Sequence, residues 1–230
     1  MDAGKFWGIS NMAEQNIIKP HEQVFIVGMT GSGKSYFSET YLRGYDNVIK
    51  LDTKREFEER QREGKSEWTG LKNGRDFEIV EHLDDLYNCT CNKIIYAPTF
   101  DEMDEDFYNE FFRFCFEREN TIVWVDELMS VCSSSRIPPQ LKRITTQGRS
   151  KGVGLFSCTQ RPSGIPQIIP ANSTHVIGYR LRLAVDKKRM VDITGCPEFM
   201  QELGQYEFWY YKVGMKHAQR SILEIGRAHV

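Results

Sequence analysis

Two short stretches of this chain hold residue types whose spacing can do chemistry. Residues 28–35 read Gly-Met-Thr-Gly-Ser-Gly-Lys-Ser and satisfy G-x-x-x-x-G-K-[ST]. The glycines Gly28, Gly31 and Gly33, with Thr30 and Ser32 between them, leave successive backbone N–H groups free to curl round a phosphate. Lys34 can then reach the β- and γ-phosphates of a nucleoside triphosphate, and Ser35 offers a hydroxyl to magnesium. From average residue usage, a chain of this length matches the pattern by chance about one time in a hundred. Residues 121–127, Thr-Ile-Val-Trp-Val-Asp-Glu, form an apolar run that ends in two acids. Asp126 is suited to holding Mg2+ through water, and Glu127, pointing differently, to orienting and deprotonating an attacking water. That pair is a weak pattern alone; it gains meaning from the glycine loop upstream. Together they predict magnesium-dependent ATP hydrolysis. A water-activating glutamate also argues against a nucleotide kinase, whose acceptor is another phosphate.

These residues need particular elements to position them. An apolar strand over Val24–Val27 feeds the loop, and a helix over Lys34–Leu42 points its positive dipole end at the same anion. Val48–Leu51, Phe77–Val80, Lys93–Ala97, Thr121–Val125, Gly152–Cys158 and Thr174–Tyr179 read as further strands. Helices are predicted near Glu81–Tyr87, over Asp101–Glu119 and over Pro138–Gly148. Strands alternating with helices predict an α/β fold with a mostly parallel sheet covered on both faces. In such a sheet the glycine loop and the acid-tipped strand end on one edge, where ligands bind. The phenylalanines of 101–119 recur near helical spacing, which predicts the core-facing stripe of an amphipathic helix rather than a platform for bases. Residues 53–75 are dense in charge and read as surface helix and loop. Glu207–Tyr211 and Ser221–Ile225 predict a closing strand pair. The organisation expected is an N-terminal arm over 1–20 and one domain over 21–230, whose last part, 206–230, is that strand pair and an unstructured tail.

Composition narrows the classes. At 230 residues with 40% hydrophobic and 27% charged residues, the chain suits a globular α/β domain and excludes a fibrous or disordered one. The longest apolar runs are strand-sized, far below the roughly 20 residues that span a bilayer. The N-terminus has polar and charged residues where a signal peptide needs an apolar stretch, so a cytoplasmic location is expected. A net charge of −2 gives no global basic footprint, so contacts to nucleic acid would be local or shared round a ring of subunits. The six cysteines lack CxxC spacing and read as free thiols, with Cys115 and Cys158 in the core.

A third segment refines the reading. Residues 148–163, Gly-Arg-Ser-Lys-Gly-Val-Gly-Leu-Phe-Ser-Cys-Thr-Gln-Arg-Pro-Ser, hold a strand that ends in Thr159 and Gln160. A polar side chain there can contact the γ-phosphate or the lytic water; a plain strand-terminating turn, helped by Pro162, is the alternative. With the loop at 28–35 and the acids at 126–127, this segment resembles the FtsK–HerA superfamily of DNA-pumping ATPases over about residues 22–180. In that superfamily an R-x-x-G-x-G stretch leads into a strand ending Thr-Gln-Arg-Pro. The compact size looks most like its viral genome-packaging branch. The resemblance implies a P-loop NTPase of the additional-strand, catalytic-glutamate (RecA-like) type, with Gln160 as sensor and Arg149 as a finger reaching a neighbouring subunit's site. For Arg149 the alternative is a solvated loop charge. Arg161 is either a second site arginine or a structural ion-pair partner. Arg136, Lys142 and Arg143 read as helix-surface charges before DNA contacts.

It further implies a pentameric or hexameric homo-oligomeric ring using ATP and Mg2+, transient contact with double-stranded DNA, a capsid vertex or portal partner, and a place in host cytoplasm or at a virion vertex. A phage-assembly or export ATPase that moves no DNA is the competing expectation.

Overall fold

Residues 18–223 are described by the computed structural model. Residues 1–17 of the expected arm, and the tail beyond 223, lie outside the described residues. In chain order the elements are β1 (Gln23–Val27), α1 (Lys34–Leu42), β2 (Val48–Leu51), α2 (Glu56–Arg62), β3 (Glu78–Val80), α3 (Leu83–Asn88), β4 (Lys93–Tyr96), α4 (Glu105–Arg118), β5 (Ile122–Val125), α5 (Pro139–Gln147), β6 (Gly154–Thr159), α6 (Ile168–Ala171), β7 (His175–Tyr179), α7 (Ala184–Thr194), β8 (Glu207–Lys212) and β9 (Gln219–Ile222).

They form one 9-stranded sheet in the order β3-β4-β2-β5-β6-β1-β7-β8-β9. Every neighbouring pair from β3 to β7 is parallel, and β8 and β9 extend the sheet as an antiparallel hairpin. The core lies on both faces because alternate residues of each central strand point opposite ways. Phe25, Val27, Val123 and Val125 join one cluster, with Phe111, Phe112 and Cys115 of α4 and Leu141 and Ile144 of α5. Val24, Ile26, Ile122 and Trp124 join the other, with Phe37, Tyr41 and Leu42 of α1. The phenylalanine stripe is therefore core, and Cys115 and Cys158 are fully buried as expected. Among the described residues, no helix is long and apolar enough to cross a membrane.

Three expectations need correcting. The helix predicted over 101–119 is interrupted: Phe100–Glu102 is a short 3-10 turn, and α4 starts afresh after Asp104. Asp104 Oδ1 accepts hydrogen bonds from the Asp106 and Phe107 amides at 2.9 and 3.0 Å, an N-cap that fixes the true helix start. Residues 53–75 are not simply surface, since Trp68 is fully buried and packs edge-on to Trp124 at 5.6 Å between ring centroids. The charge in that segment serves an internal partner: Arg60 pairs with the fully buried Glu39 of α1 at 2.6 Å, and Thr69 Oγ1 donates to the same carboxylate at 2.5 Å. Finally, α7 is absent from the sequence reading. Its Asp-Lys-Lys-Arg run masks a helix whose buried residues are Asp186, Met190 and Thr194.

A second polar cluster ties the lead-in of β1 to β7 and β8. His175 is fully buried, with Nε2 3.0 Å from Glu22 Oε2 and Nδ1 2.9 Å from the Tyr210 hydroxyl. A carboxylate accepts only, so Nε2 carries the proton and Tyr210 donates to Nδ1. Burial pushes the imidazole below its ordinary value of 6.5, outweighing the pull of Glu22. For Glu22, burial raises the carboxyl, but the Lys19 amide and His175 hold it below its ordinary 4.5. Both folded-state values are depressed, so both groups stabilise the fold above their ordinary values and lose that contribution on acidification. The melting temperature should therefore fall as pH drops from about 7 towards 5, and His175→Gln should flatten that slope in thermal melts. An unchanged slope in the variant would assign the acid sensitivity elsewhere.

Candidate active site

The glycine loop leaves β1 at Gly28 and is pinned on both sides. Gly28 N donates to Thr159 O of β6 at 3.2 Å, and Met29 N donates to Arg180 O, just past β7, at 3.0 Å. Glycine is required at both ends of the loop. A β-carbon on Gly28 would lie 2.6 Å from Tyr179 Cβ, and Gly33 sits at φ 103°, where a β-carbon would lie 2.6 Å from Leu223 Cδ2. The helix that follows, α1, has no side-chain cap on its N-terminal amides. Its first amides and positive dipole end are thus arranged for an anion.

Two features of the loop fit a triphosphate. Ser32 Oγ is buried without a hydrogen-bond partner among the described residues. Lys34 folds back on its own loop, with Nζ donating to Gly28 O at 2.6 Å and Met29 O at 3.1 Å. Burial lowers the pKa of this amine, while the neighbouring Asp126 and Glu127 carboxylates work against that shift. An ammonium held by two carbonyls in a buried loop is a cation poised for a stronger anionic partner.

The acids stand across the edge. Ser35 Oγ donates to Asp126 Oδ1 at 3.0 Å, with Oδ2 at 3.3 Å, although β6 lies between their strands. A hydroxyl and a carboxylate so placed are the hard oxygen donors that magnesium takes. Glu127 Oε1 accepts from the Met129 amide at 3.4 Å, and its Oε2 lies 3.7 Å from Lys54 Nζ. Gln160, at the end of β6, accepts a hydrogen bond from Thr30 Oγ1 at 2.9 Å. The structure thus brings together Gly28, Thr30, Gly31, Ser32, Gly33, Lys34, Ser35, Asp126, Glu127 and Gln160 at one sheet edge. Most of them line a cavity of about 330 Å³ there.

Other expected residues lie elsewhere. Arg149 is exposed in the Gly148–Lys151 turn before β6, on the opposite edge of the parallel sheet, and does not enter this chain's own cavity. Arg161 takes the structural alternative: its Nε lies 3.0 Å from Asp186, which is 2% exposed and also accepts from Ser163 Oγ at 2.7 Å. Arg136 pairs with Glu105, and the Arg143 guanidinium lies 4.0 Å from the Phe116 ring centroid.

The sequence reading missed Tyr36, Lys54, Glu56 and Tyr206, which line the same cavity. A signal for one of them, Glu56, existed. Val48–Leu51 also ends in an acid, and Asp52 caps α2 through the Glu56 and Phe57 amides at 3.1 and 3.2 Å, which sets Glu56 at the site edge. Burial and then the Asp126 carboxylate raise the Glu56 pKa. Beneath the acids, Lys50 is buried 4.7 Å from the Trp124 ring centroid; Asp52 and Asp126 outweigh burial and raise its pKa.

No family model matches the chain, and no curated protein matches its sequence. Solved structures do share its fold. The genome packaging NTPase B204 from Sulfolobus turreted icosahedral virus 2, in complex with AMPPCP, superposes with a TM-score of 0.71 at 18% identity, covering 90% of this chain and 100% of that one. B204 described as the DNA-packaging ATPase from Sulfolobus turreted icosahedral virus gives 0.67 at 20% identity, over 90% and 100%. VirB4 of Thermoanaerobacter pseudethanolicus gives 0.60 at 11% identity, over 89% and 90%. At these identities the likeness establishes the fold: the chain has the α/β architecture of these proteins, with a mostly parallel sheet and a glycine loop after a central strand.

Proposed function

We propose that this protein is an ATPase that hydrolyses ATP to move double-stranded DNA, packaging a viral genome into a capsid. The observation that carries the hydrolytic part is the Ser35–Asp126 hydrogen bond at 3.0 Å, formed beside the Lys34 amine within one loop-lined cavity. The DNA part is supported by the Thr-Gln-Arg-Pro segment at 159–162 and by the likeness to the B204 packaging proteins.

The roles follow from position. The loop amides and the α1 N-terminus hold the phosphates, and Lys34 exchanges its two carbonyl partners for phosphate oxygens. Ser35 and Asp126 would hold magnesium, which neutralises charge on the β- and γ-phosphates. Glu127 orients the attacking water and takes its proton, with Lys54 Nζ 3.7 Å from its Oε2. Gln160, tied to Thr30 of the loop, reads the γ-phosphate. Arg149 acts in a neighbouring subunit, since within one chain it faces away from the loop; that requires a ring, pentameric or hexameric. Such a ring would work in host cytoplasm at a capsid vertex, against a portal or capsid protein.

Glu127→Gln should lower the turnover number by about two to four orders of magnitude while leaving Mg–ATP affinity within a few-fold, as read by steady-state hydrolysis and calorimetry. Lys34→Ala should lose both. Arg149→Ala should lower turnover of the assembled ring about a thousand-fold or more and leave nucleotide binding nearly intact; normal turnover would remove the trans role. Steady-state hydrolysis with and without duplex DNA, alongside a solution mass, tests the whole reading. Stimulation by duplex in an oligomer is expected. Hydrolysis unmoved by DNA would instead favour an export ATPase.

A further inference from the structure

We propose that Tyr206 is the platform on which the purine base of the bound nucleotide stacks, held in place by the β8–β9 hairpin. The inference rests on the nucleotide-binding reading above and goes beyond it by assigning the base end of the site.

Sheet order sets the direction. The groups aimed at the terminal phosphate, Asp126 and Gln160, close β5 and β6, on one side of β1. Tyr206 immediately precedes β8, which is reached through β7 on the other side of β1, yet it lines the same cavity as Lys34, Ser35 and Asp126. A triphosphate lying in the loop with its γ end towards Gln160 therefore sends its nucleoside end across β1 towards Tyr206. Tyr36, in the first turn of α1, lines that cavity too.

The ring is built into place. Tyr206 has φ 63°, a left-handed backbone that non-glycine residues adopt under strain and that persists only when its surroundings enforce it. Here they do. Tyr206 O accepts from the Leu223 amide at 2.9 Å, and Glu207 bridges the turn to β9, accepting from the Gly204 amide at 2.6 Å and pairing with Arg220 at 2.6 Å. The ring also abuts the loop: a β-carbon on Gly33 would stand 3.3 Å from Tyr206 Cδ1. Half-buried, the side chain packs against the apolar cluster that contains Tyr179, Phe208 and Leu223 while still lining the cavity. A strained backbone that holds an aromatic ring at the rim of a phosphate site is accounted for if the ring meets a flat ligand. Stacking accepts any purine face, so the platform favours nucleotide over bare triphosphate and does not choose between adenine and guanine.

Binding of Mg–ATP and of magnesium tripolyphosphate, which has no base, is to be measured by titration calorimetry on the full chain and its variants. Tyr206→Ala should weaken ATP roughly 5- to 150-fold and leave tripolyphosphate unchanged. Tyr206→Phe should keep unmodified affinity, and Tyr206→Leu, which preserves apolar bulk without a π-face, should weaken ATP as alanine does. The proposal is overturned if Tyr206→Ala binds ATP normally, or if ATP and tripolyphosphate weaken together. An unmodified protein that binds both ligands with no change in the variants sinks this inference alone; one that binds neither sinks the nucleotide reading with it.

Discussion

The Ser35–Asp126 hydrogen bond is the contact on which the rest of the site depends. Its partners come from α1 and from the end of β5, and β6 separates β5 from β1. Neighbouring strands lie about 4.8 Å apart, so two inter-strand steps, nearly 10 Å, must be closed by a short serine and a short aspartate. That closes only if β1, β6 and β5 are parallel and held in one register. The pairing of Val27 with Thr159 and of Val125 with Ser157 supplies that register. A slip by one residue would turn Asp126 to the other face of the sheet.

Such a site concentrates carboxylates, and the surrounding fold compensates them. Asp52, Asp126, Glu127 and Glu39 are all buried, and Lys34 and Lys50 are the buried cations among them. Lys50 cannot be a surface charge in disguise: it occupies a central strand, with Ile49 and Leu51 on one face and its own chain over the Trp124 ring on the other. Glu39 holds Arg60 and Thr69 from the middle of α1, so the helix that presents Lys34 and Ser35 also anchors the segment that presents Lys54 and Glu56. Removing one member of a buried ion pair leaves the other unpaired in a low dielectric, a cost of about 3–5 kcal/mol. These contacts therefore bind the two halves of the cavity together as well as stabilising the fold.

The parts legible in the sequence were those where local chemistry and tertiary position agree. The helix over Lys34–Leu42 and the strand over Val48–Leu51 run as expected, because glycine punctuation and unbroken apolar runs define them. Gln160 and Asp126 could be placed at the loop because strand ends share one edge. What could not be read was long-range. Trp68 sits in a charged segment whose arginine serves a buried glutamate 21 residues upstream. α7 pairs a basic surface with a buried Asp186 that clamps Arg161, and its weak amphipathic pattern gives no periodic signal. Tyr206 approaches the loop because β8 follows β7 in the sheet, a consequence of topology alone.

For the loop to cradle a triphosphate, Lys34 Nζ must give up the Gly28 and Met29 carbonyls to which it donates. The most direct measurement is the distance from Lys34 Nζ to Gly28 O in a crystal structure with magnesium and a non-hydrolysable ATP analogue. It is 2.6 Å in this structure. The account predicts that it opens beyond hydrogen-bonding range as Nζ turns to phosphate oxygen and Ser35 and Asp126 converge on the metal. A nucleotide bound elsewhere, or bound in the loop with that contact unbroken, would contradict it.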